Sequence, residues 1–184
     1  MSSLTHIALI RGINVGGKNP VPMARLREVL SARGFDAVLT HIQSGNVLLS
    51  APGRAEADIT AAVETALRED FEVDTVVVTL TANALRSAVA HAPQGFGGAP
   101  GEYLDDVVFL RSHIDPAEVH PLIRLRDGVD SCWIGPSVLY FRRLEARRTA
   151  SYLSKVIALP AYKDMTIRNW KTTTALVGML DGSR

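Results

Sequence analysis

One order of elements occurs twice along the chain, and that repetition limits the folds open to it. The first pass opens with a strand over residues 5–11, whose run Ile7-Ala8-Leu9-Ile10 suits a strand buried on both faces. An amphipathic helix follows. It is entered through Pro22, carries Met23, Leu26, Val29 and Leu30 on one face, and stops at Gly34. Strands over 38–43 and 46–49 flank Ser44-Gly45, a two-residue hairpin signal. Ile59, Ala62, Val63, Ala66 and Leu67 then form a helical stripe closed by Phe71, and a strand over 74–80 ends the unit. That order is β-α-β-β-α-β. Thr81 is placed to cap a further helix reaching about His91.

The second pass repeats the plan. A strand over 106–111 leads to a helix begun by Asp115-Pro116 and containing Val119, Leu122 and Ile123. Strands over 130–134 and 138–142 surround Gly135-Pro136-Ser137. A helix over 149–159 carries apolar Tyr152, Leu153, Val156 and Ile157. A short strand over 165–168 precedes a helix over 172–180, and residues 181–184 are expected to fray. Together these predict an α+β fold of two tandem ferredoxin-like (βαββαβ) units, with mainly antiparallel sheets and helices on one face. One unit occupies 1–91 and the other 104–184. The linker over 92–103 is marked by the Gly/Pro-rich stretch from Ala92 to Gly101. Arg11 and Arg111 end the first strand of each unit, and Gly45 and Gly135 sit in the corresponding hairpins.

The composition agrees with a packed globular protein: of 184 residues, 47% are apolar and 21% charged. The formal net charge of +1 selects no partner, but its distribution is uneven. Residues 142–171 hold Arg142, Arg143, Arg147, Arg148, Lys155, Lys163, Arg168 and Lys171 against Glu145 and Asp164 alone. That surplus faces either an anion or plain solvent. Cys132 is the single cysteine, so no intrachain disulfide can form, and its apolar setting beside Trp133 suits a buried, inert thiol. The start Met1-Ser2-Ser3-Leu4-Thr5-His6 has no basic leader, and no apolar run reaches membrane-spanning length. A soluble cytoplasmic protein with no membrane partner is expected.

The stretch Arg11-Gly12-Ile13-Asn14-Val15-Gly16-Gly17-Lys18-Asn19 joins the first strand to the first helix and gathers most of the polar chemistry. Gly12 to Lys18 spells GxxxxGK, the opening of a phosphate-binding P-loop. Asn19 stands where that motif needs Ser or Thr for magnesium. The helix also starts about four residues late, so P-loop chemistry is not expected. A looser backbone nest for an anion, aided by Arg11 and Lys18, competes with a loop that only turns the chain. A second polar cluster, Gln43-Ser44-Gly45-Asn46, lies in the first hairpin. We expect that hairpin at the opposite end of the sheet from the glycine loop. A third cluster, Arg168-Asn169-Trp170, combines charge, amide and stacking surface, or else forms a helix cap with a packed indole. His6, His41, His91, His113 and His120 show no metal-ligand spacing, and no nucleophile motif occurs. No metal and no cofactor is expected.

The segments RGINVGGKN at 11–19, Pro22-Met23, Gly34-Phe35, IQSGN at 42–46, Ser154-Lys155 and TIRNW at 166–170 together resemble a widespread bacterial family of uncharacterised proteins, over nearly the whole chain. The resemblance implies an α+β, ferredoxin-like fold and names no activity. His41 and Lys171 stand where that family usually has Tyr and Asn. It supports treating the motif residues as one set. Arg11, Lys18, Lys155 and Arg168 supply positive charge, Gly12, Gly16 and Gly17 backbone amides, and Asn14, Gln43, Ser44, Asn46, Asn169 and Trp170 neutral contacts. This inventory suits binding of a phosphate-bearing small molecule, with a nucleic-acid backbone the less favoured partner. The alternatives are an enzyme acting on a phosphorylated substrate, with His41 as the one motif-adjacent base, or a structural module. Either a monomer or a homodimer is compatible with the sequence.

Overall fold

The computed structural model of the chain describes residues 3–182. It is an α+β fold with two four-stranded antiparallel sheets. The chain divides into two compact units at 85/86 and again at 175/176, so that residues 176–182 of the last helix gather with the first unit. The Gly/Pro-rich stretch falls inside the second.

The first unit runs β1 (His6–Ile10), α1 (Met23–Ala32), β2 (Asp36–His41), β3 (Asn46–Ser50), α2 (Glu56–Phe71) and β4 (Val77–Thr81), followed by α3 (Ala82–Ala90), which begins in it. The sheet order is β2-β3-β1-β4. β1 is central and every residue in it is buried, as its unbroken apolar run requires. Alternation sends Ala8 and Ile10 to the face covered by α1 and α2, where they meet Leu26, Leu30, Ile59, Val63 and Leu67 in one cluster. Fully burying such aliphatic side chains stabilises the fold by about 2 kcal/mol each. Arg33, at the end of α1, clamps the two helices together by donating to Glu69 and Asp70 of α2, at 2.8 and 2.7 Å.

The second unit contains β5 (Tyr103–Leu110), α4 (Pro116–Val119), β6 (Asp130–Gly135), β7 (Val138–Leu144), β8 (Met165–Asn169) and the first turns of α5 (Trp170–Gly182). Its sheet order, β6-β7-β5-β8, repeats that of the first. Val108, Leu110, Leu139, Phe141 and Met165 form the core with Val119, Ile123, Leu153 and Val156.

The helices of this unit differ from expectation. The helix after Asp115 keeps its cap, with the Asp115 carboxylate accepting from the Ala117 N–H, but stays helical only to Val119. Pro121 has no N–H to continue the ladder, a 3₁₀ turn follows at His120–Leu122, and Leu122 is left 50% exposed. The helix expected over 149–159 is instead covered by two 3₁₀ segments, Glu145–Ala150 and Leu153–Ala158, and a third, Pro160–Asp164, follows it. Only Leu153 and Val156 of its apolar stripe are buried, a spacing of three that a 3₁₀ turn satisfies, while Ile157 is 63% exposed. Pro160 holds Leu159 extended and prevents an α-helical continuation. The last helix starts two residues earlier than expected and continues to Gly182, so Asp181 and Gly182 are helical. Residues 1–2 and 183–184, including the ends of the expected leaderless start and frayed tail, lie outside the described residues.

Registers refine the internal repeat. Ile10 pairs with Val77 as Leu110 pairs with Met165. The next N–H donates across in both sheets, Arg11 to Val76 O and Arg111 to Asp164 O, each at 2.9 Å. Thr81 and Asn169 therefore correspond, and both cap the helix that follows: Thr81 Oγ1 accepts from Ala84 N–H and Asn169 Oδ1 from Thr172 N–H. The expected match of Gly45 with Gly135 is corrected. Asn46 pairs with Leu9 as Val138 pairs with Phe109, so Gly45 corresponds to Ser137, and both have positive φ.

Candidate functional site

The glycine loop and the β2–β3 hairpin lie at the same end of the first sheet, which overturns the expected separation by a strand length. The reason is directional. Helix α1 returns the chain to the start of the sheet, so β2 runs the same way as β1 and finishes at the same end, with β3 between them. The hairpin then follows β2 where the glycine loop follows β1. Ile10 N–H donates to Gly45 O at 2.7 Å, and a side chain at Gly45 would stand 2.7 Å from Ile10 O.

Asn14 welds the two segments. Its Nδ2 donates to Val21 O and to Gln43 O, both at 2.8 Å, while its Oδ1 accepts from Val21 N–H at 2.8 Å. Asn19 Nδ2 donates to Gly12 O, and Asn14 N–H donates to Asn19 O, each at 3.1 Å. Thr75 Oγ1 donates to Arg11 O at 2.6 Å. Asn46, fully buried, donates to His41 O and Ser44 Oγ. The asparagines thus hold the loops in shape. Gly16 and Gly17 form the tip, both at positive φ, with Lys18 N–H closing onto Val15 O at 3.1 Å. Gly12, Gly16, Gly17, Lys18 and Gln43 are exposed, and Arg11, His41 and Ser44 are half-buried. Helix α1 starts at Met23, so no helix N-terminus stands directly behind Lys18 as it does in a P-loop.

The other motif residues belong to the second unit. Lys155 is exposed on a 3₁₀ segment. Arg168 is half-buried on β8, donating to Thr166 Oγ1 and Ile167 O at 2.9 Å, and desolvation draws its pKa down to about 10, still well above neutral. Asn169 caps α5, and Trp170 packs edge-on to Phe96 at 5.2 Å. Of the basic surplus over 142–171, Arg142 and Arg143 are paired with Asp105 and Asp106, which leaves Arg147, Arg148, Lys155, Lys163 and Lys171 exposed. Burial pushes the Cys132 thiol up to about 12, so it is not a thiolate near neutral pH.

A cleft of about 550 Å³ opens in the second unit beside Trp170. Sequence reasoning passed over it because its rim, Gly97 to Tyr103, lies in the stretch read as a linker. That stretch is bolted to the sheet. Arg142 meets Asp105 through two bonds of 2.7 and 2.8 Å and donates to Gly95 O at 2.8 Å, and Gly97 N–H donates to Asp105 at 2.6 Å. Phe96, an aromatic residue among glycines and prolines, was the available signal of an anchored segment. Among the described residues no group of three or more His, Cys, Asp or Glu is arranged to hold a metal ion, and no helix is long and apolar enough to cross a membrane.

These features define an α+β protein of two repeated antiparallel sheets, with enlarged loops at one end of the first. The family model described as "Protein of unknown function (DUF1697)" matches residues 4–140, and the chain belongs to that family. It is also similar in structure to a conserved bacterial protein, SP0830 from Streptococcus pneumoniae. The two are 26% identical with a TM-score of 0.80, over 97% of this chain and 99% of that one. None of the curated proteins matches the chain.

Proposed function

We propose that the protein binds a small phosphate-bearing molecule where the glycine loop meets the β2–β3 hairpin. The observation that carries this reading is the meeting of two sequence-distant motifs, joined by Asn14. Both loops are longer than their counterparts in the second unit: 11–22 against 111–115, and 42–45 against 136–137. A chain that needed only to turn would need neither extension. The internal hydrogen bonds fix the loop shape before binding, which lowers the ordering cost, and leave Lys18, Gln43 and the tip glycines facing outward. Arg11 at the base adds a second positive charge.

We infer in addition that both units are ferredoxin-like, on the shared strand order and register. The bacterial neighbour and the single cysteine support a bacterial, cytoplasmic setting.

Calorimetric titration with pyrophosphate and ATP tests the site. Wild type is expected to bind at least one of them, with Lys18→Ala weakening affinity about tenfold, equivalent to about 1.4 kcal/mol, at unchanged thermal stability. If neither phosphate bound, or Lys18→Ala bound as tightly as wild type, the extended loops would be left with a structural role alone. A steep loss of affinity for single-stranded oligonucleotide with rising salt, without binding of the small phosphates, would assign the loop to a nucleic-acid backbone.

A further inference from the structure

The cleft of the second unit has walls of definite character. Trp170 forms one side and Tyr103, Leu104 and Pro100 contribute the rest of the apolar surface. Trp170 has little freedom. Phe96 stacks edge-on against it, and a side chain at Gly97 would stand 2.0 Å from its ring atoms, so the indole lies directly on the Gly97 backbone. A rigid aromatic wall contributes contact area at low entropic cost and favours a flat ligand.

The charges at the cleft are nearly all accounted for. Asp105 is neutralised by two bonds from Arg142, and Asp106 by Arg143 at 3.0 Å. Both carboxylates are buried, so neither is open to a cationic ligand. The Glu102 carboxylate is engaged by the Tyr103 hydroxyl and is not part of the lining. Lys171 is exposed at the mouth, and none of the described ion pairs includes it. With Arg142, which stands behind the lining, set against Asp105 and Arg143 against Asp106, one positive charge is left over, that of Lys171, beside an aromatic wall.

We propose that this cleft binds a planar aromatic molecule bearing a single carboxylate, its ring against Trp170 and its carboxylate paired with Lys171. The volume falls within the range of small-molecule sites, roughly 300–1,000 Å³. This site lies wholly within the second unit and does not depend on the phosphate reading of the first.

The test uses the full chain with Trp133→Phe, which leaves Trp170 as the one indole, and follows its N–H resonance during titration with 2-naphthoate and with the neutral 2-naphthamide. The expected result is a saturable shift with naphthoate, at least fivefold weaker binding of the amide, and loss of that difference in Lys171→Gln. Lys171 is exposed, so folding of that variant should be unaffected. No shift with naphthoate at millimolar concentration would overturn the proposal. So would equal affinity for acid and amide, or an acid preference that survives Lys171→Gln.

Discussion

Two glycines separate conformational need from packing need. Gly16 and Gly45 both hold positive φ, at 58° and 76°. Around Gly16 a methyl group would meet nothing within 4 Å, whereas at Gly45 it would strike the Ile10 carbonyl and Cβ at 2.7 and 2.9 Å. Those are atoms of a central strand and cannot swing aside. Gly16→Ala is therefore expected to cost about 1 kcal/mol, the left-handed penalty alone. Gly45→Ala adds overpacking and is expected to cost about 3 kcal/mol. Urea unfolding of the two variants checks this, and equal losses would mean that the contact relaxes freely. Both glycines were recognisable in the sequence as turn residues. That one is a packing residue was not, because the atoms it touches lie 35 positions away.

The unit of behaviour at the next scale is the welded pair of loop and hairpin. Asn14 makes three hydrogen bonds that join residues 21 and 43. Asn14→Ala leaves a partly buried N–H and two carbonyls without it, at an expected cost of about 3 kcal/mol. Asn14→Asp keeps the acceptor for Val21 N–H but sets a carboxylate against the carbonyls of Val21 and Gln43, so it should not rescue. Amide exchange over 15–19 and 42–45 is expected to quicken together in both variants. Acceleration confined to one segment would show that they are not one cooperative piece. Element types were readable from periodicity here, since α1 and β1 to β3 match their patterns within a few residues. The 3₁₀ segments of the second unit were less so. Tyr152, Leu153, Val156 and Ile157 fit an α-helical stripe by letter, yet Tyr152 is drawn to Arg126 at 4.7 Å and Pro160 stops the helix, tertiary and local effects that outweigh a weak stripe.

For the whole molecule, acid stability should be governed in part by His6. It sits on the buried β1, its Nδ1 2.8 Å from the Thr5 hydroxyl, which accepts from Ala51 N–H. Burial lowers its pKa, with Glu56 opposing the shift. A lowered pKa means that the unfolded chain binds the proton more readily. The contribution to stability is thus complete above the ordinary value of 6.5 and is lost as pH falls below it. Urea midpoints of wild type and His6→Gln, measured from pH 8 to pH 5, are expected to diverge in slope, wild type losing more on acidification. Parallel curves would remove His6 from the account.

The sequence by itself determined most of the local facts: the strands of both units and the helices of the first, that the plan occurs twice, where the turns need glycine, and to which family the chain belongs. These depend on residues within a few positions of one another, where periodicity and φ preference act. Only the tertiary structure decided that the glycine loop and the hairpin share an end, because that follows from the direction in which α1 returns the chain. It also decided which polar residues face inward. Asn14 and Lys18 are equal candidates for a ligand by letter. Asn14 finds a carbonyl 29 residues away and becomes part of the frame, while Lys18 at the tip stays in water. The stretch after α3 reads as a linker until Asp105 and Arg142, 37 residues apart, pin it and make one wall of a cleft.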